Sequence, residues 1–325
     1  MLSYDWLKII GAAVAGIIVW SLIFTMTATR IRASQKFVIF NYTSNESFNA
    51  TEFFDFYSEA LNKKIFSSEV IETDYCDLAA TPDMSGTLLE TRLAVSECHA
   101  MFIANTQDSS TETTDENGEK QYKTHLESFA QSGFTSYMAD LSLTSETGYF
   151  KSMEKYLSKF YENWEDETTL NENAVKTEFL ARAEKNKDKR FKTAEEKNKG
   201  IQEDIERIKK YRDALDNFYD YLDKGYLAIT KTEVSDLYTQ DWTIERYTID
   251  LCPDENTMGD LKKIVNYPLQ YVNEKGEEAV KYTAKNMNLV IFDLKEVEDG
   301  FQYESLLFVT YLVETYCSAL KWENI

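Results

Sequence analysis

The pattern of apolar and polar positions divides the chain into zones. Residues 9–29, "IIGAAVAGIIVWSLIFTMTAT", carry no charged side chain and show no polar face. At about 1.5 Å rise per residue, a helix of this length spans roughly 30 Å, the thickness of a bilayer's hydrocarbon core. The stretch therefore reads as an uncleaved transmembrane anchor behind a short tail, residues 1–8. A cleaved signal peptide fits less well, because Arg30 and Arg32 stand where small residues would mark a cleavage site.

Beyond the anchor the pattern changes to short apolar runs. "KFVIFNY" (Lys36–Tyr42) is a run of β-branched and aromatic residues, and predicts a strand buried on both faces. "TEFFDFYSEALNKKI" repeats its apolar residues at helical spacing, with Asn49 and Glu52 as a capping pair. "SEVIETDY" predicts a second strand, "GTLLETRLAV" a short helix and "HAMFIAN" (His99–Asn105) a third strand. Strands alternating with crossover helices predict a parallel sheet with helices on both faces. Residues 106–123 have no apolar face and read as a polar loop or hairpin tip around Asn117-Gly118.

Residues 147–226 have a helical period throughout. Ile201, Ile205, Ile208, Tyr211, Leu215, Phe218 and Leu222 form a stripe at three- and four-residue steps, and Gly225 fits a helix C-cap. Residues 227–325 return to mixed structure. "DWTIERYTIDL" predicts a strand, "TMGDLKKIV" a short helix or turn, and residues 274–276 the turn of a hairpin. A buried strand (Asn288–Leu294) and an apolar terminal helix over "YESLLFVTYLVETYCSAL" follow. The expected units are thus an anchor (9–29), an α/β lobe (30–146), a helical subdomain (147–226) and a mixed α/β remainder (227–325).

Charge narrows the function. The chain of 325 residues has 35 basic and 56 acidic residues, a net charge of −21. A surface this negative repels nucleic acid, so a nucleic-acid partner is not expected. The four cysteines are scattered with no CxxC spacing, and read as half-buried thiols. The two histidines, His99 and His125, lie in no metal-ligand spacing. "GxSxG", "GxGxxG" and "GxxxxGK[ST]" do not occur. No catalytic residue, metal site or cofactor is predicted. "NYTSNESFNAT" (Asn41–Thr51) holds three Asn-x-Ser/Thr triplets, and reads as the end of the first strand, a loop and a helix cap. Loops at the carboxyl ends of parallel strands are where open α/β sheets bind ligands. Aromatic and amide side chains at predicted strand ends and loops are accordingly the candidate contacts: Tyr42, Thr43, Asn45, Tyr75, Asn105 and Trp242.

"KFVIFNY", "SSEVIETDY" and "LLETRLAVSECHAMFIAN" together resemble the start of extracellular solute-binding proteins, the cleft-forming receptors of ABC importers. Arg92-Leu93-Ala94 and Met101-Phe102-Ile103 carry the likeness, which covers residues 36–105. The anchored start, "YDWLKI…WSLIFTMTATRI", also looks like that of membrane-anchored proteins of Firmicutes-type bacteria. The resemblance implies a two-lobed, periplasmic-binding-protein-like α/β domain outside the cell, with residues 147–226 elaborating the second lobe. It implies non-covalent capture of a small ligand (a sugar, peptide or cell-wall fragment) in an interlobe cleft, with a membrane transporter or envelope protein as partner. The charge rule alone points the other way: Arg30, Arg32 and Lys36 after the anchor would keep the domain in the cytoplasm. Two other readings are a structural or protein-interaction module of the cell envelope and a cell-wall-acting enzyme.

Overall fold

The computed structural model describes residues 6–27, 31–42, 59–78, 84–107, 111–114, 117–164, 169–235, 243–251, 253, 268–272, 278–282, 287–294 and 300–316. The chain divides into two compact units, Met1–Arg32 and Ala33–Ile325. In the first, α1 (Trp6–Thr27) is a 22-residue helix. Its described side chains are exposed all round, with Ile9, Ile17, Trp20 and Leu22 each about half-exposed or more. Among the described residues no helix is long and apolar enough to cross a membrane.

The second unit is built on a six-stranded sheet of order β2-β1-β3-β10-β7-β6. The strands are β1 (Lys36–Tyr42), β2 (Glu72–Asp77), β3 (Ala100–Ala104), β6 (Ala228–Ser235), β7 (Thr243–Asp250) and β10 (Met287–Ile291). β1 pairs parallel to both β2 and β3, whereas β10, β7 and β6 join by antiparallel pairing. The sheet is therefore mixed: its first three strands are parallel, as their strand–helix–strand order predicts, and the other three join antiparallel. Two small hairpins lie outside it: β4 (Thr113–Thr114) with β5 (Lys120–Gln121), and β8 (Pro268–Val272) with β9 (Glu278–Tyr282).

Alternate residues of the central strands serve two cores, as the pleat requires. Phe37, Ile39, Phe102, Leu289 and Ile291 face one side. There they meet α4 (Tyr149–Leu157), α5 (Glu172–Lys185), α6 (Ala194–Asp223) and α7 (Glu304–Tyr316). Val38, Phe40, Met101, Ile103 and Val290 face the other side, against α2 (Ser85–Ala94) and α3 (His125–Ala130). The helical segment is thus one layer of the same core. In it α4–α7 bury their apolar faces on this sheet.

Local signals account for the element ends. Thr193 and Glu196 form a capping box at the start of α6. Gly225 ends it with φ +71°, its N–H donating to the Leu222 carbonyl while that of Tyr226 reaches Tyr221. This pair of bonds is a Schellman cap, and it needs the left-handed residue. The stripe from Ile201 to Phe218 is buried as predicted. β2 starts at Glu72, later than "SEVIETDY" implied. β6 was not expected from the sequence: its Lys231 and Glu233 are exposed and its Thr232 and Val234 buried, an alternation hidden behind a long helical zone. The expected helix cap at Asn49 and the "TMGDLKKIV" segment lie outside the described residues.

Candidate ligand-binding crevice

The order β2-β1-β3 fixes one place on the sheet. From β1 the chain crosses to β2 on one side, and from β2 it returns to β3 on the other. The carboxyl ends of β1 and β3 are then neighbours, with the next strand in the chain, β2, on the far side of β1. Such a switch point opens a crevice in open α/β sheets. Tyr42 closes β1 in register with Ile103, and Asn105 follows the last residue of β3. Two of the six sequence-predicted contacts, Tyr42 and Asn105, therefore meet at one edge.

The floor of this edge is ordered by hydrogen bonds. Asn41 is fully buried, its Nδ2 donating to Asp77 Oδ1 at 3.4 Å and its carbonyl accepting from the Leu78 N–H at 3.0 Å. Tyr42 sets its ring edge-on to Phe129, 5.4 Å between centroids, which fixes the ring against α3. The segment after β3 is tied back by the His125 N–H to the Thr106 carbonyl at 2.9 Å. Thr124 and Glu127 then cap α3 reciprocally. Between the β4–β5 hairpin and α3 lies an open pocket of about 480 Å³, lined by Thr111, Glu112, Thr113, Lys123, Ser128, Gln131 and Ser132. Its volume falls in the range of small-molecule sites, and its lining offers hydrogen bonds with no nucleophile–base pair.

Tyr75 is not brought to this edge. It pairs with Ile39 in the middle of β2 and packs against the helical core, three register positions or roughly 10 Å behind Tyr42. Thr43, Asn45 and Trp242 lie outside the described residues.

A second depression lies at the opposite end of the sheet. β10 pairs with β7 only at Asn288 and Leu289, so the sheet splits ahead of Ile249. Residues 137–139 run beside β10 in the split, with Ala139 N–H donating to the Ile291 carbonyl and Asp293 N–H to that of Tyr137. Between this segment and β7 is a cavity of about 460 Å³, lined by Met138, Ala139, Asp140, Ser142, Thr144, Ser145, Glu245, Arg246 and Tyr247. None of these was singled out from the sequence. The one available signal was a lone arginine within a predicted strand of an acidic chain.

Both histidines are buried. His99 is buried, and its Nδ1 accepts the Val38 N–H at 3.2 Å. Desolvation pushes its pKa down to about 3, so the ring is neutral. Among the described residues no group of histidine, cysteine and carboxylate side chains is placed to hold a metal ion. Cys76 and Cys98 are free thiols, and burial raises both pKa values. No family model, curated protein or solved structure matches this chain.

Proposed function

We propose that the protein is a membrane-anchored capture module that holds a small polar ligand non-covalently at the carboxyl edge of its sheet. The observation that carries this reading is the switch point between β1 and β3, with Tyr42 and Asn105 on either side of it. The ring of Tyr42 would stack on the ligand and the amide of Asn105 would orient its polar groups. A sugar, a peptide or a cell-wall fragment has the required mixture of flat apolar and hydrogen-bonding surface. The uncharged apolar stretch of residues 9–29 supports an anchor, and the resemblance read from the sequence of residues 36–105 supports a domain outside the cell. The same likeness speaks for a second lobe closing over the crevice. The single compact unit Ala33–Ile325 speaks for capture on one sheet, and the proposal takes that form.

Two measurements test it. Asn117, exposed in the β4–β5 turn, is replaced by cysteine and labelled in intact cells with a membrane-impermeant maleimide. Labelling without permeabilisation is expected, and labelling only after lysis would place the domain inside. A thermal-shift panel of sugars, peptides and cell-wall fragments on the detergent-solubilised full chain tests capture. A second reading, an envelope interaction module, is favoured by the single compact unit Ala33–Ile325. It predicts no shift with any compound of the panel.

A further inference from the structure

The cavity in the split of the sheet is built around Arg246, and its chemistry differs from that of the crevice. The chain carries a net charge of −21, yet among the described residues this half-buried guanidinium makes no ion pair within 4.0 Å. Its Nη1 donates to the Glu245 carbonyl at 3.2 Å and its Nη2 to Thr135 Oγ1 at 3.3 Å. Its Nε is buried with no hydrogen-bond partner among the described residues. An arginine has five N–H donors, so three remain unused here.

The neighbouring carboxylates are otherwise engaged. Glu245 is held by Lys231 and by the Tyr247 hydroxyl at 2.6 Å. Asp140 accepts the Ser142 N–H at 3.0 Å, and acts on Arg246 only at longer range. Ser142 and Thr144 share a hydrogen bond of 3.2 Å at the same wall, and Ser145 adds a third hydroxyl. On its other side the cavity meets the edge of β7 that faces away from β6. Among the described residues no strand pairs with this edge from Thr243 to Thr248. Alternate backbone groups of an antiparallel strand point to such an open edge, so donors and acceptors of the main chain are available as well.

We infer that this cavity is a second binding site, distinct from the crevice, for a small carboxylate that also carries an amino or hydroxyl group. Arg246 receives the carboxylate, the Ser142–Thr144 hydroxyls and the β7 edge receive the body, and Asp140 faces the amine. The balance of one unpaired cation with two nearby carboxylates selects a singly charged or zwitterionic molecule over a dianion such as phosphate. The cavity volume suits a molecule of amino-acid size with bridging water.

The test is equilibrium binding to the detergent-solubilised full chain, with L-serine as the probe. Serine methyl ester, which lacks the carboxylate, and inorganic phosphate are the controls. Saturable binding of serine is expected, with both controls weaker by about tenfold or more. Arg246→Gln is expected to weaken serine by a similar factor, while Asn105→Ala, in the crevice, leaves it unchanged. Equal binding of serine and its methyl ester, tighter binding of phosphate, or no binding of serine overturns the inference. If Arg246→Gln fails to fold, as judged by circular dichroism, the comparison of serine with its ester on the native chain still decides. Loss of serine binding in Asn105→Ala would instead assign serine to the crevice and overturn the second site.

Discussion

The hydroxyl of Tyr211 donates to Oε1 of Glu304 across 2.7 Å, joining α6 to α7 where both side chains are sealed from water. The other carboxylate oxygen accepts the Ser67 N–H at 3.0 Å, so one buried acid ties two helices to the turn before β2. Burial pushes the Glu304 pKa up, against the hydrogen bonds from Ser67 and Tyr211 that hold it down. Glu304→Ala leaves two buried donors unpaired and is expected to cost about 2–4 kcal/mol in denaturant unfolding. Glu304→Gln keeps one acceptor and loses less, about 1–2 kcal/mol. Equal losses for the two variants would contradict this assignment.

His99 gives the fold a pH dependence of defined sign. Its folded pKa is about 3, whereas an unfolded chain titrates near the ordinary 6.5. Between these values the unfolded state binds a proton that the folded state does not. Stability is therefore full above about pH 6.5 and falls as pH drops toward 3, at about 1.4 kcal/mol per pH unit for this one group. Glu304 works in the opposite sense, since its raised pKa favours the folded state on the acid side of its titration. The two are separated by comparing the native chain with His99→Gln in urea titrations from pH 7 to pH 4. The variant is expected to be less stable at pH 7 and to show a shallower slope. An unchanged slope would mean that His99 is protonated in the folded chain.

Gly300 is expected to tolerate no side chain. Its φ is +83°, and a Cβ built there would come within 2.4 Å of the Tyr156 ring. Tyr156 in turn accepts from Arg207 Nη2 at 3.1 Å, and Arg207 is paired with buried Asp204 at 2.8 Å. Gly300→Ala thus combines left-handed strain with displacement of a ring in a buried ionic network, and is expected to cost about 2–4 kcal/mol. Gly225→Ala has the same conformational penalty but open space around the new methyl group, so its cost is expected to be smaller, about 1 kcal/mol. A thermal-melt series of the two variants checks the order.

Much of the fold could be read from local pattern. "KFVIFNY" and "HAMFIAN" are strands because their apolar residues fill both faces, and the stripe Ile201–Phe218 is a helix because its period says so. In the antiparallel half β7 and β10 could be read as strands, but β6 and the pairing could not. β6 mixes lysine and glutamate with threonine and valine, and the partner of β10 is set by packing over a long sequence separation. The same limit applies to the sites. Tyr42 and Asn105 could be placed at one edge because strand ends can be counted. Tyr75 could not be separated from them, since its position depends on the register of β2 against β1. Arg246 and Ser142 lie a hundred residues apart in the chain, and only the splitting of the sheet brings them together.

The capture reading is tested most directly by the melting temperature of the full chain against the panel of sugars, peptides and cell-wall fragments, repeated with Tyr42→Ala and Asn105→Ala. Both variants are expected to fold, because Asn105 stands outside the strand and Tyr42 is only half-buried. The account predicts that at least one compound raises the native melting temperature, and that this rise is lost or at least halved in both variants. A compound that stabilises the native chain and both variants equally would contradict binding at the carboxyl edge. A panel without any stabilising compound would contradict capture itself.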